Sequence, residues 1–114
     1  MNLLELEKSL FKVEFMNDLN YLDSIIDDNF IECGKSGLFF DKKVTVEELS
    51  KLDSDRDIKI YNFTSELIDT NSYLVHYTTK SGDDLIYRTS IWKNGKLYFH
   101  QASKLNIEIE LIEY

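Results

Sequence analysis

Leu85-Ile86-Tyr87-Arg88-Thr89-Ser90-Ile91-Trp92-Lys93-Asn94-Gly95-Lys96-Leu97-Tyr98-Phe99-His100-Gln101-Ala102-Ser103 reads as two strands joined at Asn94-Gly95. Asn-Gly between two apolar runs is the strongest short-range signal for a two-residue type I′ hairpin, because both central residues must accept a positive φ. The turn sets a register in which Trp92 lies opposite Leu97, Ser90 opposite Phe99 and Arg88 opposite Gln101, all on one face. Tyr87, Thr89, Ile91, Tyr98 and His100 are expected on the other.

The same register extends backwards. Tyr73–Lys80 is rich in β-branched and aromatic residues, and Ser81-Gly82-Asp83-Asp84 is a turn cluster. Placing Lys80 opposite Leu85 sets Tyr77 against Arg88, Val75 against Ser90 and Tyr73 against Trp92. The result is a mostly apolar face interrupted by Arg88 and Gln101. A face of this kind must be covered, and an Arg within it needs a partner.

Upstream of this unit, Leu3, Leu6, Leu10 and Val13 recur at helical spacing, with Glu5, Glu7, Lys8, Lys12 and Glu14 assigned to the opposite side. The spacing predicts one amphipathic helix from about Asn2 to Met16. Asn17 or Asp18 caps a second helix, marked by Leu19, Leu22, Ile25 and Ile26, which Asp27-Asp28-Asn29 ends. Phe30–Phe40 reads as a short hairpin turning at Gly34-Lys35-Ser36-Gly37. Thr45-Val46-Glu47-Glu48 has the form of a capping box and predicts a short helix through about Leu52. Asp53–Asp57 is a polar loop, Ile58–Ile68 a long strand and Asp69–Ser72 a turn. The tail Asn106–Tyr114 alternates apolar and acidic residues, as an edge strand or an extended arm would. Helices followed by a meander of antiparallel strands make an α+β arrangement, expected as one domain over residues 1–114.

Composition bounds the function. The 114 residues carry 21 acidic against 13 basic side chains, a net charge of −8 that speaks against nucleic acid and anionic membranes as partners. The single cysteine, Cys33, cannot form an internal disulfide and reads as a packing residue. No Cys/His cluster has metal-ligand spacing, and no metal or cofactor is expected. No apolar run approaches the ~18 residues of a membrane span, and the acidic, amphipathic amino-terminal stretch is unlike a secretory leader, so a cytoplasmic location is expected.

Several strings then resemble a known superfamily: Asp28-Asn29-Phe30-Ile31-Glu32-Cys33-Gly34-Lys35-Ser36-Gly37, Arg88-Thr89-Ser90-Ile91-Trp92 and Phe99-His100-Gln101-Ala102-Ser103, in the order helix, helix, hairpin, helix, sheet. Together they resemble the nuclear transport factor 2-like superfamily, and within it the bacterial SnoaL-like group. Ser103 stands where that pattern has Thr, and the tail beyond Leu105 lies outside the likeness. The resemblance implies a cone, with N-terminal helices packed in a curved antiparallel sheet, a cavity at its open end, and a homodimer formed through the outer face of the sheet.

Register and resemblance together give a candidate pocket of Glu32, Tyr77, Arg88, Ser90, Trp92, Phe99 and Gln101, and a candidate dimer face of His76, Thr89, Ile91, Tyr98 and His100. Arg88 has two readings: its planar fork binds an anionic or carbonyl-bearing ligand, or it pairs internally with Glu32 or Glu14. Glu32 likewise is an acid–base group with a raised pKa, or a salt-bridge partner whose pKa Arg88 pulls down, the outcome expected here. Three functions stay open: a cone that binds a small organic molecule, a protein-interaction module with a filled cavity, and an isomerase, dehydratase or cyclase using Glu32, Tyr77 or Asp28.

Overall fold

The computed structural model describes residues 2–114. The chain runs α1 (Leu3–Ser9), α2 (Val13–Met16), α3 (Leu19–Ile25), β1 (Ile26–Cys33), β2 (Phe39–Asp41), α4 (Lys42–Ser50), β3 (Tyr61–Asp69), β4 (Ser72–Ser81), β5 (Asp84–Lys93) and β6 (Lys96–Lys104). The strands form one sheet in the order β2-β1-β6-β5-β4-β3, with the helices packed on one side of it. Every pairing is antiparallel except that of β1 with β6, which is parallel and makes the sheet mixed. A parallel pair needs a long crossover; here it is the rest of the sheet together with α4.

The expected helix over Asn2–Met16 is broken. Asn2 caps α1 by accepting from the Glu5 amide, and α1 stops at Ser9. The break is held by a distant loop: the Arg56 amide donates to the Phe11 carbonyl at 2.7 Å, and Asp55 accepts from the Val13 amide at 2.8 Å. Apolar spacing continues across the interruption because Leu10, Phe11 and Met16 are all buried. Periodicity alone therefore misses it.

Other boundaries shift for local reasons. Asp18 rather than Asn17 caps α3, accepting from the Tyr21 amide. Asp41, the last residue of β2, caps α4 by accepting from the Val44 amide at 2.9 Å, so the helix begins well before the Thr45 capping box and Thr45 lies inside it. Asp27-Asp28-Asn29 is strand, not turn; Lys42 bridges Asp23 at 2.8 Å and Asp28 at 2.9 Å, offsetting the acidic cluster. The strand expected at Ile58–Ile68 begins at Tyr61. The tail is an arm clasped to its start: the Asn62 amide donates to the Ile112 carbonyl, the Asn62 side-chain oxygen accepts from the Ile112 amide, and Tyr61 bridges Glu113.

In the central meander, β4 and β5 pair with Tyr77 opposite Arg88, Val75 opposite Ser90 and Tyr73 opposite Trp92. The Asn94-Gly95 turn has φ of 52° and 78°, as type I′ requires. Trp92 then lies opposite Leu97, but the next partner of Ile91 is Phe99. Tyr98 is thus an extra residue, a β-bulge, and beyond it each β6 side chain faces the side opposite to that expected. Ser90 pairs with His100 and Arg88 with Ala102. His100 and Ala102 turn inward and are buried, whereas Phe99 and Gln101 fall on the outer side, Gln101 exposed.

This register has a measurable consequence. Trp92→Ala, truncating a side chain with 0% exposure, is expected to cost about 3–5 kcal/mol in chemical denaturation. Gln101→Ala should stay within about 0.5 kcal/mol of the parent, a result that an inward Gln101 would not give.

Candidate functional site

The interior side of the sheet is polar at its centre. Glu7 on α1 is only 2% exposed and receives two hydrogen bonds: the Tyr77 hydroxyl donates to Oε1 at 2.7 Å and the Trp92 indole N–H donates to Oε2 at 2.8 Å. Tyr77 comes from β4 and Trp92 from β5, so one carboxyl ties the first helix to two central strands. Burial pushes the Glu7 carboxyl above its usual pKa, against the downward pull of Trp92, Tyr77, the neighbouring Ser90 hydroxyl and the Arg88 charge. The helical pattern sets Glu7 on the solvent side, and the structure turns it inward. The missed signal was spacing, since Glu7 lies four residues after Leu3 and three before Leu10, on the apolar stripe itself.

Beside this latch stands His100. Its Nδ1 lies 2.8 Å from the Ser90 hydroxyl, and its Nε2 lies 3.5 Å from Nη1 of Arg88. A guanidinium can only donate, so Nε2 accepts and Nδ1 carries the proton that is donated to Ser90. Burial, reinforced by the charges of Arg88 and Arg56, lowers the His100 pKa to about 3. The imidazole is therefore neutral at physiological pH. Nε of Arg88 donates to the Thr79 hydroxyl at 2.8 Å.

A second guanidinium was not foreseen. Arg56, from the polar loop after α4, lies over the Phe11 ring at 5.0 Å, with Nη1 3.4 Å from the Leu10 carbonyl. The helix break described above brings it inward, and no local pattern marks it. Among the described residues, neither Arg56 nor Arg88 is in a salt bridge, and Glu32 is in none either. The internal pairing considered for Arg88, with Glu32 or Glu14, does not form; Glu14 is exposed. The Glu32 carboxyl is raised, not lowered: at these separations burial outweighs the pull of Arg88 and Arg56.

These groups line a cavity of about 320 Å³. Glu7, Glu32, Arg56, Tyr77, Arg88 and His100 form its polar side, while Phe11, Phe30, Phe40, Leu49, Leu52 and Leu97 form an apolar wall. The Thr45 hydroxyl, also on the wall, is buried and finds no hydrogen-bond partner among the described residues. Of the residues expected in the pocket, Glu32, Tyr77 and Arg88 line it. Ser90 and Trp92 lie behind its surface, where they hold His100 and Glu7, and Phe99 and Gln101 are on the other side of the sheet. Of the residues expected on the dimer face, His76, Thr89 and Ile91 lie on the outer side, where His76 Nδ1 is 3.0 Å from the Thr89 hydroxyl, and Tyr98 is the exposed bulge residue. His100 does not belong to that face, because the bulge has reversed it. Among the described residues no cluster of His, Cys, Asp and Glu could hold a metal ion, and no helix is long and apolar enough to cross a membrane.

The buried imidazole makes stability depend on pH with a definite sign. In the unfolded chain His100 takes up a proton near pH 6.5; in the fold it resists until about pH 3. Over that window the unfolded state binds more protons, so the contribution of His100 to stability falls as pH falls, by about 1.4 kcal/mol per unit. The raised pKa values of Glu7 and Glu32 act oppositely, their contributions being lost as pH rises above 4.5. Subtracting the denaturation curves of His100→Gln from those of the parent cancels these groups. The remaining difference should shift against the parent at that slope as pH drops below 6.5, and a flat difference would mean a solvated His100.

No protein-family model and no curated protein matches the chain. Solved structures do. An NTF2-like protein from Cytophaga hutchinsonii aligns over 92% of this chain and 100% of its own, with a TM-score of 0.72 at 18% identity. An NTF2-like protein of unknown function from Prochlorococcus aligns over 93% and 92%, with a TM-score of 0.68 at 21% identity. A cystatin-like fold protein from Burkholderia xenovorans aligns over 93% and 88%, with a TM-score of 0.70 at 14% identity. What is shared at such identities is architecture: N-terminal helices followed by an open, six-stranded mixed sheet, which is the nuclear transport factor 2-like fold of this chain.

Proposed function

We propose that the cavity binds a small organic molecule. The observation that carries this reading is Arg88, a guanidinium on the wall of a cavity of about 320 Å³, bonded to Thr79 and adjoining His100 but to no carboxylate. The volume lies within the range of small-ligand pockets, and the mixture of an apolar wall with a few convergent polar groups is typical of them. The unpartnered Thr45 hydroxyl supports the same reading, because a buried polar atom left without a bond costs about 1–3 kcal/mol that a ligand can recover. An interaction module with side chains filling its centre accords poorly with this open space. The proposal includes a homodimer through the outer face, around His76, Thr89, Ile91 and Tyr98.

A second reading has its own observation. Glu32 borders the cavity without an ion-pair partner, and burial raises its pKa. A carboxyl so placed can exchange a proton with a bound molecule as a general acid or base. Isomerisation, dehydration or cyclisation would then be chemistry added to the same binding site.

Native mass spectrometry of the protein as purified from cells tests the binding reading. The expected result is a dimer carrying a small-molecule adduct that Arg88→Ala loses. A bare mass in the parent would count against it. A released adduct that the parent converts and Glu32→Gln does not would favour the second reading.

A further inference from the structure

Resting on the reading of the cavity as a binding site, the geometry points to the class of its occupant: a monoanionic organic acid, with its carboxylate on Arg88 and Arg56 and its apolar body along Phe11, Phe30 and Leu97.

Arg88 and Arg56 place two fixed positive charges on the cavity wall, and neither has a carboxylate within ion-pair distance among the described residues. His100 adds none, since it is neutral at physiological pH. Glu7 has both carboxyl oxygens occupied by Tyr77 and Trp92 and makes no ion pair with either guanidinium. Glu48 stands exposed at the rim, bonded to Lys51. Glu32 borders the same cavity without pairing with either guanidinium. A single carboxylate is the group that the two forks can share. A dianion would crowd a second negative charge beside the Glu32 carboxyl, and the net charge of −8 would repel it more strongly on approach.

Donor geometry and space narrow the class further. Arg88 uses Nε on Thr79 and makes only a long contact to His100 through Nη1, so N–H groups remain on its fork. Arg56 likewise makes only a long side-chain bond, to the Leu10 carbonyl. Planar forks of this kind match a carboxylate by paired, charge-assisted bonds. A volume of about 320 Å³ is the room of on the order of ten waters. That suits a compact acid with an aromatic or branched aliphatic body. Thr45 offers a hydroxyl to a second polar group on it.

The test uses the full chain in calorimetric titration with matched probes: benzoate and benzamide, phenylacetate and phenylacetamide, 4-phenylbutyrate and its amide, and phenyl phosphate. The acids are expected to bind at least about tenfold tighter than their amides, the span of one charge-assisted bond, with phenyl phosphate weaker than benzoate. Arg56→Met, and Arg88→Lys, which keeps the charge but loses the fork, should each weaken the acids about tenfold and leave the amides unchanged. Glu32→Gln should tighten the acids and narrow the gap to phenyl phosphate, a gain that a merely structural Glu32 would not produce. Amides binding as tightly as acids, or acids weakened by Glu32→Gln, would overturn the assignment while leaving the cavity a binding site. If no probe bound and the purified protein carried no adduct, both readings would fall.

Discussion

One extra residue decides what the inside of this sheet is made of. Without the bulge at Tyr98, the hairpin that turns at Asn94-Gly95 would send Phe99 and Gln101 toward the helices and His100 toward solvent. With it, His100 enters the interior, meets Ser90 across the ladder and lies beside Arg88. A bulge re-aims every side chain beyond it at the cost of one unpaired position. Here that reversal replaces an aromatic and an amide with a neutral imidazole at the base of the cavity.

The polar interior holds together because its members are bonded to one another. Glu7 binds Tyr77 and Trp92, His100 binds Ser90, and Arg88 binds Thr79. Each such bond is worth about 0.5–1.5 kcal/mol net, and a buried group stripped of its bond loses about 1–3 kcal/mol of desolvation energy. The network therefore fixes where α1 sits over the sheet. Among the described residues it leaves the two guanidiniums and Glu32 without ion-pair partners, and all three border the open space. In this fold the bonded polar side chains serve as scaffold around the cavity.

Much of the fold was legible from local chemistry. Asn94-Gly95 demanded its turn, the run Tyr73–Lys80 paired with the strand after Gly82 in the expected register, and Asp18 was one of two caps named for α3. Signals that depend on distant partners were not legible. Arg56 sits in an acidic loop whose composition says only solvent, yet its backbone splits the first helix and its side chain enters the cavity. The parallel pairing of β1 with β6 joins strands far apart in the chain. The bulge at Tyr98 carries no glycine or proline to mark it. Glu7 is a different case, because its place between Leu3 and Leu10 was readable and the usual expectation of an exposed glutamate hid it.

The inward histidine is the point on which the site turns, and it can be observed directly. Long-range proton–nitrogen correlation spectra resolve the two imidazoles of the chain, His76 and His100, across pH 5 to 8. His100 is expected to stay in a single neutral tautomer, with its proton on Nδ1, over the whole range. An imidazole at position 100 that titrates near pH 6.5, as a solvated one does, would place it outside the sheet and contradict the site described here.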